Sequence, residues 1–212
     1  WISRMRMVAR QHCCWLQSEG ANMELHDMEG NTALLLAMNK GHTDIAASLI
    51  AKGANTDIKN KNGGTLLLVA AEKCYTDIAA SLIANMDIKN KNGKPALILA
   101  TEKGRTDIAA SLIAQGANMD MQTKNSNTAL LLATEKGNTD IAESLVAKGA
   151  NMDILNDAGV TALLLATEKS RTDTEGADMD IQNKDGDTAL IVATENGHTD
   201  IAASLIAKGA RQ

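Results

Sequence analysis

Apolar positions along this chain fall into two alternating blocks separated by polar stretches. In "ALLLAMNK", from Ala33, the residues Leu34, Leu35 and Leu36 form an unbroken apolar patch, which predicts a short helix covered on most sides. In "TDIAASLIA", from Thr43, the residues Ile45, Ala46, Leu49 and Ile50 stand at i, i+1, i+4 and i+5, the stripe of an amphipathic helix. Thr32 is expected to cap the first helix and Gly41 to end it in the left-handed conformation. Thr43 is expected to cap the second helix, with Asp44 set against its N-terminal dipole, and Gly53 to close it. The following "ANTDIKNKNG" is rich in Asn, Asp, Lys and Gly and predicts a projecting turn or finger. Helices of about two to three turns are marginal alone in water, so stability must come from neighbouring copies.

Those copies are present. The nine-residue string begins at Thr43, Thr76 and Thr106, returns as "TDIAESLVA" from Thr139, and recurs from Thr199, at intervals of 33, 30, 33 and 60 residues. A fixed period of about 20 to 50 residues marks a stacked repeat architecture. The long interval divides as 33 plus 27, because "TALLLATEKSRTDTEGADMD" keeps the front of a copy and lacks its "IAASLI". One contiguous array follows: a degenerate partial repeat at 1–30, full repeats at 31–63, 94–126 and 127–159, a shortened one at 64–93, one lacking most of its second helix at 160–186, and a terminal copy at 187–212. The 64–93 unit loses only "KGA", so both its helices should persist.

Composition narrows the packing. Hydrophobic residues make up 44% of the 212, yet aromatics only 1% with no Phe, so Leu, Ile and Ala must fill a thin core in which each layer touches its neighbours. The longest apolar runs, such as "LLLVAA" from Leu66, are six residues, far short of the roughly 20 that span a bilayer. The start, "WISRMRMVAR", has no secretory core and no initiator Met, which reads as a piece of a longer chain. Cys13, Cys14 and Cys74 form no disulfide framework and no spaced ligand pattern, which places the chain inside the cell in a reducing, cytoplasmic setting. A net charge of −5 argues against nucleic acid as the main partner.

The order Gly, Thr-x-Leu-x-x-Ala, Gly-His, Ile, Leu-Ile, Gly-Ala-Asn resembles the ankyrin repeat over residues 19–212. The resemblance implies an all-α ankyrin-repeat solenoid of stacked helix-turn-helix units with projecting β-turn fingers. The usual Thr-Pro-Leu-His is here "TALL", with Ala33, Ala129, Ala162 or Ala189 in place of proline and Leu or Ile in place of histidine, while Pro95 stands where a capping Thr belongs. Plain aliphatic packing is expected to replace the polar network between repeats. The resemblance also implies a non-enzymatic scaffold that binds another protein through its concave face, without cofactor or metal. Two alternatives stay open: a targeting arm of a larger enzyme or signalling protein, and a decaying repeat tract with no selected partner.

Candidate chemistry is sparse. Ser48, Ser81, Ser111, Ser144 and Ser204 occupy one column, and a nucleophile needs no five copies. His42 and His198 follow the inter-helix glycine as structural residues do in the family, and the cluster His12 to Cys14 offers adjacent thiols that a helix would point apart. The pairs Glu135-Lys136 and Glu168-Lys169 at first-helix ends lie where such arrays make contacts. The fingers differ in charge: "KNKN" at 59–62 and 89–92 carries +2, "QTKN" with Lys124 carries +1, and "LNDA" carries −1. The finger "ILNDAGV" alone brings apolar Leu155, Ala158 and Val160 around Asp157, which reads either as a partner-binding spot rimmed by Glu135, Lys136, Glu168 and Lys169, or as drift beside the deletion with Leu155 folded back over the gap left by the missing helix. The lesion at 160–186 is expected to expose Ile141, Leu145, Ile201 and Leu205, and the apolar stripe of the last copy to favour self-association.

Overall fold

The computed structural model describes residues 22–82, 86–169 and 176–210, and within them every regular element is a helix. In chain order these are α1 (Ala33–Lys40), α2 (Thr43–Ala51), α3 (Leu66–Lys73), α4 (Thr76–Ser81), α5 (Ala96–Glu102), α6 (Thr106–Ala114), α7 (Ala129–Lys136), α8 (Thr139–Ala147), α9 (Ala162–Glu168), α10 (Ala189–Glu195) and α11 (Thr199–Ala207). Helices α1, α3, α5, α7, α9 and α10 form one layer, each packed on the next, and α2, α4, α6, α8 and α11 pair with members of that layer as antiparallel hairpins. The stretch 64–93 carries α3 and a second helix, α4, of six residues, with residues 83–85 outside the described ones.

First-layer helices start where the sequence says. The hydroxyls of Thr32, Thr65, Thr128, Thr161 and Thr188 accept from the amides of Leu35, Leu68, Leu131, Leu164 and Ile191. Pro95 begins α5 with no side-chain cap. Gly41 closes α1 at φ 81°, a left-handed corner that brings the chain straight back. Second-layer helices start one residue earlier than expected. The His42 carbonyl accepts the first helical bond from Ala46, so Thr43 lies inside the helix and caps nothing. The same shift appears at Tyr75, Arg105, Asn138 and His198, because the left-handed corner, a glycine or, before Tyr75, Cys74, already places the next residue's carbonyl at the helix mouth.

The core is aliphatic. At the position where the family carries histidine, Leu35, Leu68, Ile98, Leu131 and Leu164 are all buried. One buried cluster runs from Leu34 to Ala162, and a second gathers Leu163, Leu164, Ala189, Leu190, Ala193, Ile201 and Leu205, so the seam falls within α9. Leu36 departs from the predicted patch and lies 38% exposed, whereas its counterparts Leu132 and Leu99 are covered.

The lesion behaves differently from its sequence reading. Among the described residues no helix lies between α9 and α10, while residues 170–175 lie outside the described ones. Ile141, Leu145, Ile201 and Leu205 are nevertheless buried, at 1%, 0%, 6% and 3% exposure. They face the first helix of their own hairpin, α7 or α10, which the deletion leaves in place. The uncovered flank is the neighbouring pair: Ala109 and Ile113 of α6 are buried between α4 and α8, whereas Ala142 and Val146 of α8 are only half-buried.

Candidate functional site

The fingers are built by a side chain that closes its own turn. Asp27, Asn60, Asn90, Thr123, Asn156 and Asn183 each accept from backbone amides two and four residues ahead, as with Asn156 Oδ1 from Ala158 and Val160 at 3.0 Å. Such turns favour short polar side chains that can fold onto their own backbone. At Asp27 the Asn31 side-chain amide, and then its backbone N–H, hold the carboxyl below its ordinary value.

Successive fingers are tied tip to tip. The amide of Lys61 donates to Glu29, Lys91 to Asn62 and Asp157 to Asn125, at 3.0, 3.3 and 3.2 Å. Asparagine pairs add a second tie, Asn60 to Asn31 at 2.7 Å and Asn156 to Asn127 at 2.9 Å. At the finger bases a carboxylate reaches the amide one repeat on: Asp87 accepts from Asn118, Asp120 from Asn151 and Asp153 from Asp178. The last of these bridges the lesion, so Asp178 resumes the finger register after the shortened copy.

Leu155 is 42% exposed on its finger, with Asp157 and Ala158 exposed beside it. Val160 is only half-buried and packs against the second core cluster, so it serves the core rather than the tip. Lys124 is exposed on the preceding finger, where Ser126 donates to Asp157 Oδ1 at 2.5 Å. Asp157 also accepts through its carbonyl from the Lys184 ammonium, which ties three fingers together. Glu135, Lys136, Glu168 and Lys169 are exposed too. They do not rim the finger. The finger meets the N-terminal ends of α7 and α9 and these four close the other ends, about 10 Å away along seven residues at about 1.5 Å each. The rim expected from sequence is therefore the far border of an elongated face.

Some of the remaining candidates make structural contacts. The His198 ring contacts the Glu168 carbonyl at 3.2 Å, and Asn138, at the matching place, donates to the Thr101 carbonyl at 2.7 Å. Ser48, Ser111, Ser144 and Ser204 are half-buried on the second layer, and the Ser111 hydroxyl accepts from Gln115. His12, Cys13 and Cys14 lie outside the described residues, as does the Ser81 side chain. Among the described residues no three His, Cys, Asp or Glu side chains gather as a metal site, and no helix is long and apolar enough to cross a membrane. Sequence reasoning passed over the finger ties, although the recurring Asn-x-Asp triplets at 118–120 and 151–153 carry their signal.

Comparison with known proteins gives one consistent answer. A model of ankyrin repeats in three copies matches residues 5–92, 37–123, 67–156 and 97–174, and a single ankyrin-repeat model matches 185–211. No curated protein matches the chain. Among solved structures, the ankyrin repeat protein EF0377 is 28% identical, with 82% of this chain and 96% of that one covered at a TM-score of 0.71. An ankyrin repeat domain from Acinetobacter baumannii is 25% identical, with 84% and 98% covered and a TM-score of 0.74. A chain in the complex of the Bd0816 predatory endopeptidase from Bdellovibrio bacteriovorus with immunity protein Bd3460 is 31% identical, with 84% and 98% covered and a TM-score of 0.68. The stacked hairpins, the tied fingers and these matches agree, and the chain belongs to the ankyrin-repeat family.

Proposed function

We propose that this array is a non-catalytic scaffold that binds another protein along the concave face formed by its fingers and first-layer helices, with Leu155 as an anchor. Ankyrin repeats are generally protein–protein interaction modules, and a stack of near-identical hairpins presents an extended surface rather than an enclosed cleft. The observation that carries the anchor is its column. The equivalents of Leu155 in sister fingers are His26, Lys59, Lys89, Gln122 and Gln182, all polar, yet here a leucine stands 42% exposed. An exposed apolar group among polar ones is where interface energy concentrates. Asp157, Ala158 and Lys124 adjoin it, and Glu135, Lys136, Glu168 and Lys169 form the far border, while Val160 contributes by holding the finger to the core. A matched structure contains a complex with an immunity protein, which supports a protein as the partner class. The thiol of Cys74 is free, in keeping with a reducing compartment.

The test uses the whole chain as bait, with cross-linking to locate the contact, followed by titration of the captured protein. Leu155→Gln with Ala158→Asn, each residue borrowed from sister fingers, should weaken binding by about tenfold or more while the melting temperature stays put. Unchanged affinity with a lowered melting temperature would assign Leu155 to covering the lesion instead.

A further inference from the structure

The finger tips carry a second feature, separate from Leu155. Read across the ties, the tip column runs Met28, Lys61, Lys91, Lys124, Asp157, Lys184, and the column beside it runs His26, Lys59, Lys89, Gln122, Leu155, Gln182. Six lysines therefore sit on three consecutive fingers, at 58–64, 88–94 and 121–127, which contain no Asp or Glu, and five of them, all but Lys94, stand in these two columns. All five are exposed. Lys94 is spent on Glu102 at 2.6 Å, and Lys89 donates to the Gln122 carbonyl, but the ammonium groups of Lys59, Lys61, Lys91 and Lys124 have no hydrogen bond or ion pair among the described residues.

Their placement is fixed. The Lys61 stem lies over Gly30 and the Lys124 stem over Gly93, each the glycine of the preceding tip, while the Lys91 backbone lies over Gly63 and the Lys59 stem lies over Gly63 of its own finger. An acidic residue ends the row: Asp157 follows Lys124 in the column, and Asp185 and Asp187 follow Lys184 along the chain. A chain of net charge −5 thus concentrates unpaired cations on one bounded ridge. Unpaired like charges held in register repel one another, and a matching anion relieves this.

We infer that this ridge binds an extended acidic peptide segment of a partner protein, with carboxylates at every third residue. The spacing sets the period. Adjacent helices pack about 8–10 Å apart, so successive tips recur at about that interval, while a chain in the extended polyproline II conformation advances about 3.1 Å per residue and brings every third side chain back to the same face. Three residues match one repeat. Nucleic acid fits less well: the ridge has no aromatic residue for base stacking and no arginine fork, and acidic fingers close one end of it. The ridge and the Leu155 finger are adjacent but carry opposite chemistry, so each can fail alone.

The experiment measures fluorescence anisotropy of the intact chain with a labelled peptide carrying Glu at every third of about twelve positions. Saturable binding that weakens with salt is expected. The variant Lys61→Gln with Lys91→Gln and Lys124→Gln should lose about tenfold or more at an unchanged melting temperature, since three exposed pairs disappear together. Replacing the same lysines by Arg should retain binding, and Leu155→Gln should leave it untouched. A peptide of equal charge with its Glu residues clustered at one end should bind several-fold more weakly. Absence of saturable binding, equal affinity for the clustered peptide, or tighter binding of an oligothymidylate of equal charge would each overturn the assignment.

Discussion

Single residues show where repeat logic is enforced by the backbone and where it has slipped. The corner between hairpin helices is left-handed, and glycine supplies it at Gly41, Gly104, Gly137 and Gly197. Cys74 holds the same corner at φ 67°, with a Cβ that crowds the following carbonyl, a conformation that costs an L-residue roughly 1–2 kcal/mol. Glycine's greater freedom in the unfolded chain offsets roughly 0.4–1 kcal/mol of that. Cys74→Gly should therefore stabilise the array by about 0.5 kcal/mol, seen as a higher urea midpoint with an unchanged slope, and a lower midpoint would show that the half-buried thiol packs better than the corner strains. The caps teach the complementary lesson. Thr32 was legible because its hydroxyl needs only the amide three residues ahead, a purely local relation. Thr43 was misleading: "Thr-Asp" before an apolar stripe reads as a cap, but the helix start was set by the preceding corner, which the stripe does not encode.

Elements explain why the fold was more legible than the site. Period, caps and glycines are local and fix each hairpin, so the stack follows from sequence. Which flank of a stripe meets the next hairpin is a matter of translation along the stack, and apolar character alone does not report it. Hence Ile141 and Leu145 were expected to be stripped by the deletion and are buried, while the consequence falls on Ala142 and Val146. The charged rim failed similarly, since sequence places Glu135 and Glu168 near a helix end without saying that the finger meets the opposite one. The flank argument predicts unequal tolerance. Ala109 is 0% exposed between α4 and α8, so Ala109→Glu must overpack a filled site and bury a charge, at a cost of about 3 kcal/mol or more. Ala142→Glu, at the matching place beside the deletion, should cost less than about 1 kcal/mol. Thermal melts followed by circular dichroism compare the two, and equal losses would mean that the α8 flank is as tightly filled as that of α6.

At the scale of the whole molecule, stability is a sum over hairpins and the faces between them, so a face without a neighbour is a property of the array and not of one residue. Helix α11 shows such a face. Its Ile201 and Leu205 pack on α10, but Ile206 is 57% exposed and Ala202 is half-buried, where α6 buries the corresponding Ile113 and Ala109. The same helix string in α6 loses its exposed flank by packing against α8, so the surface at α11 is already shaped to receive a similar helix. A second copy of the chain offers one. Two such α11 flanks meeting about a twofold axis would pair Ile206 with its own counterpart, a self-complementary contact that closes rather than propagates. The area is small, so the association should be weak and depend on concentration. Sedimentation velocity of the 212-residue chain should show a weighted-average mass that rises with concentration, and Ile206→Lys should hold it at that of a monomer without lowering the melting temperature, because the side chain is already exposed. A mass independent of concentration in the unaltered chain, or a rise that persists in Ile206→Lys, would count against this face.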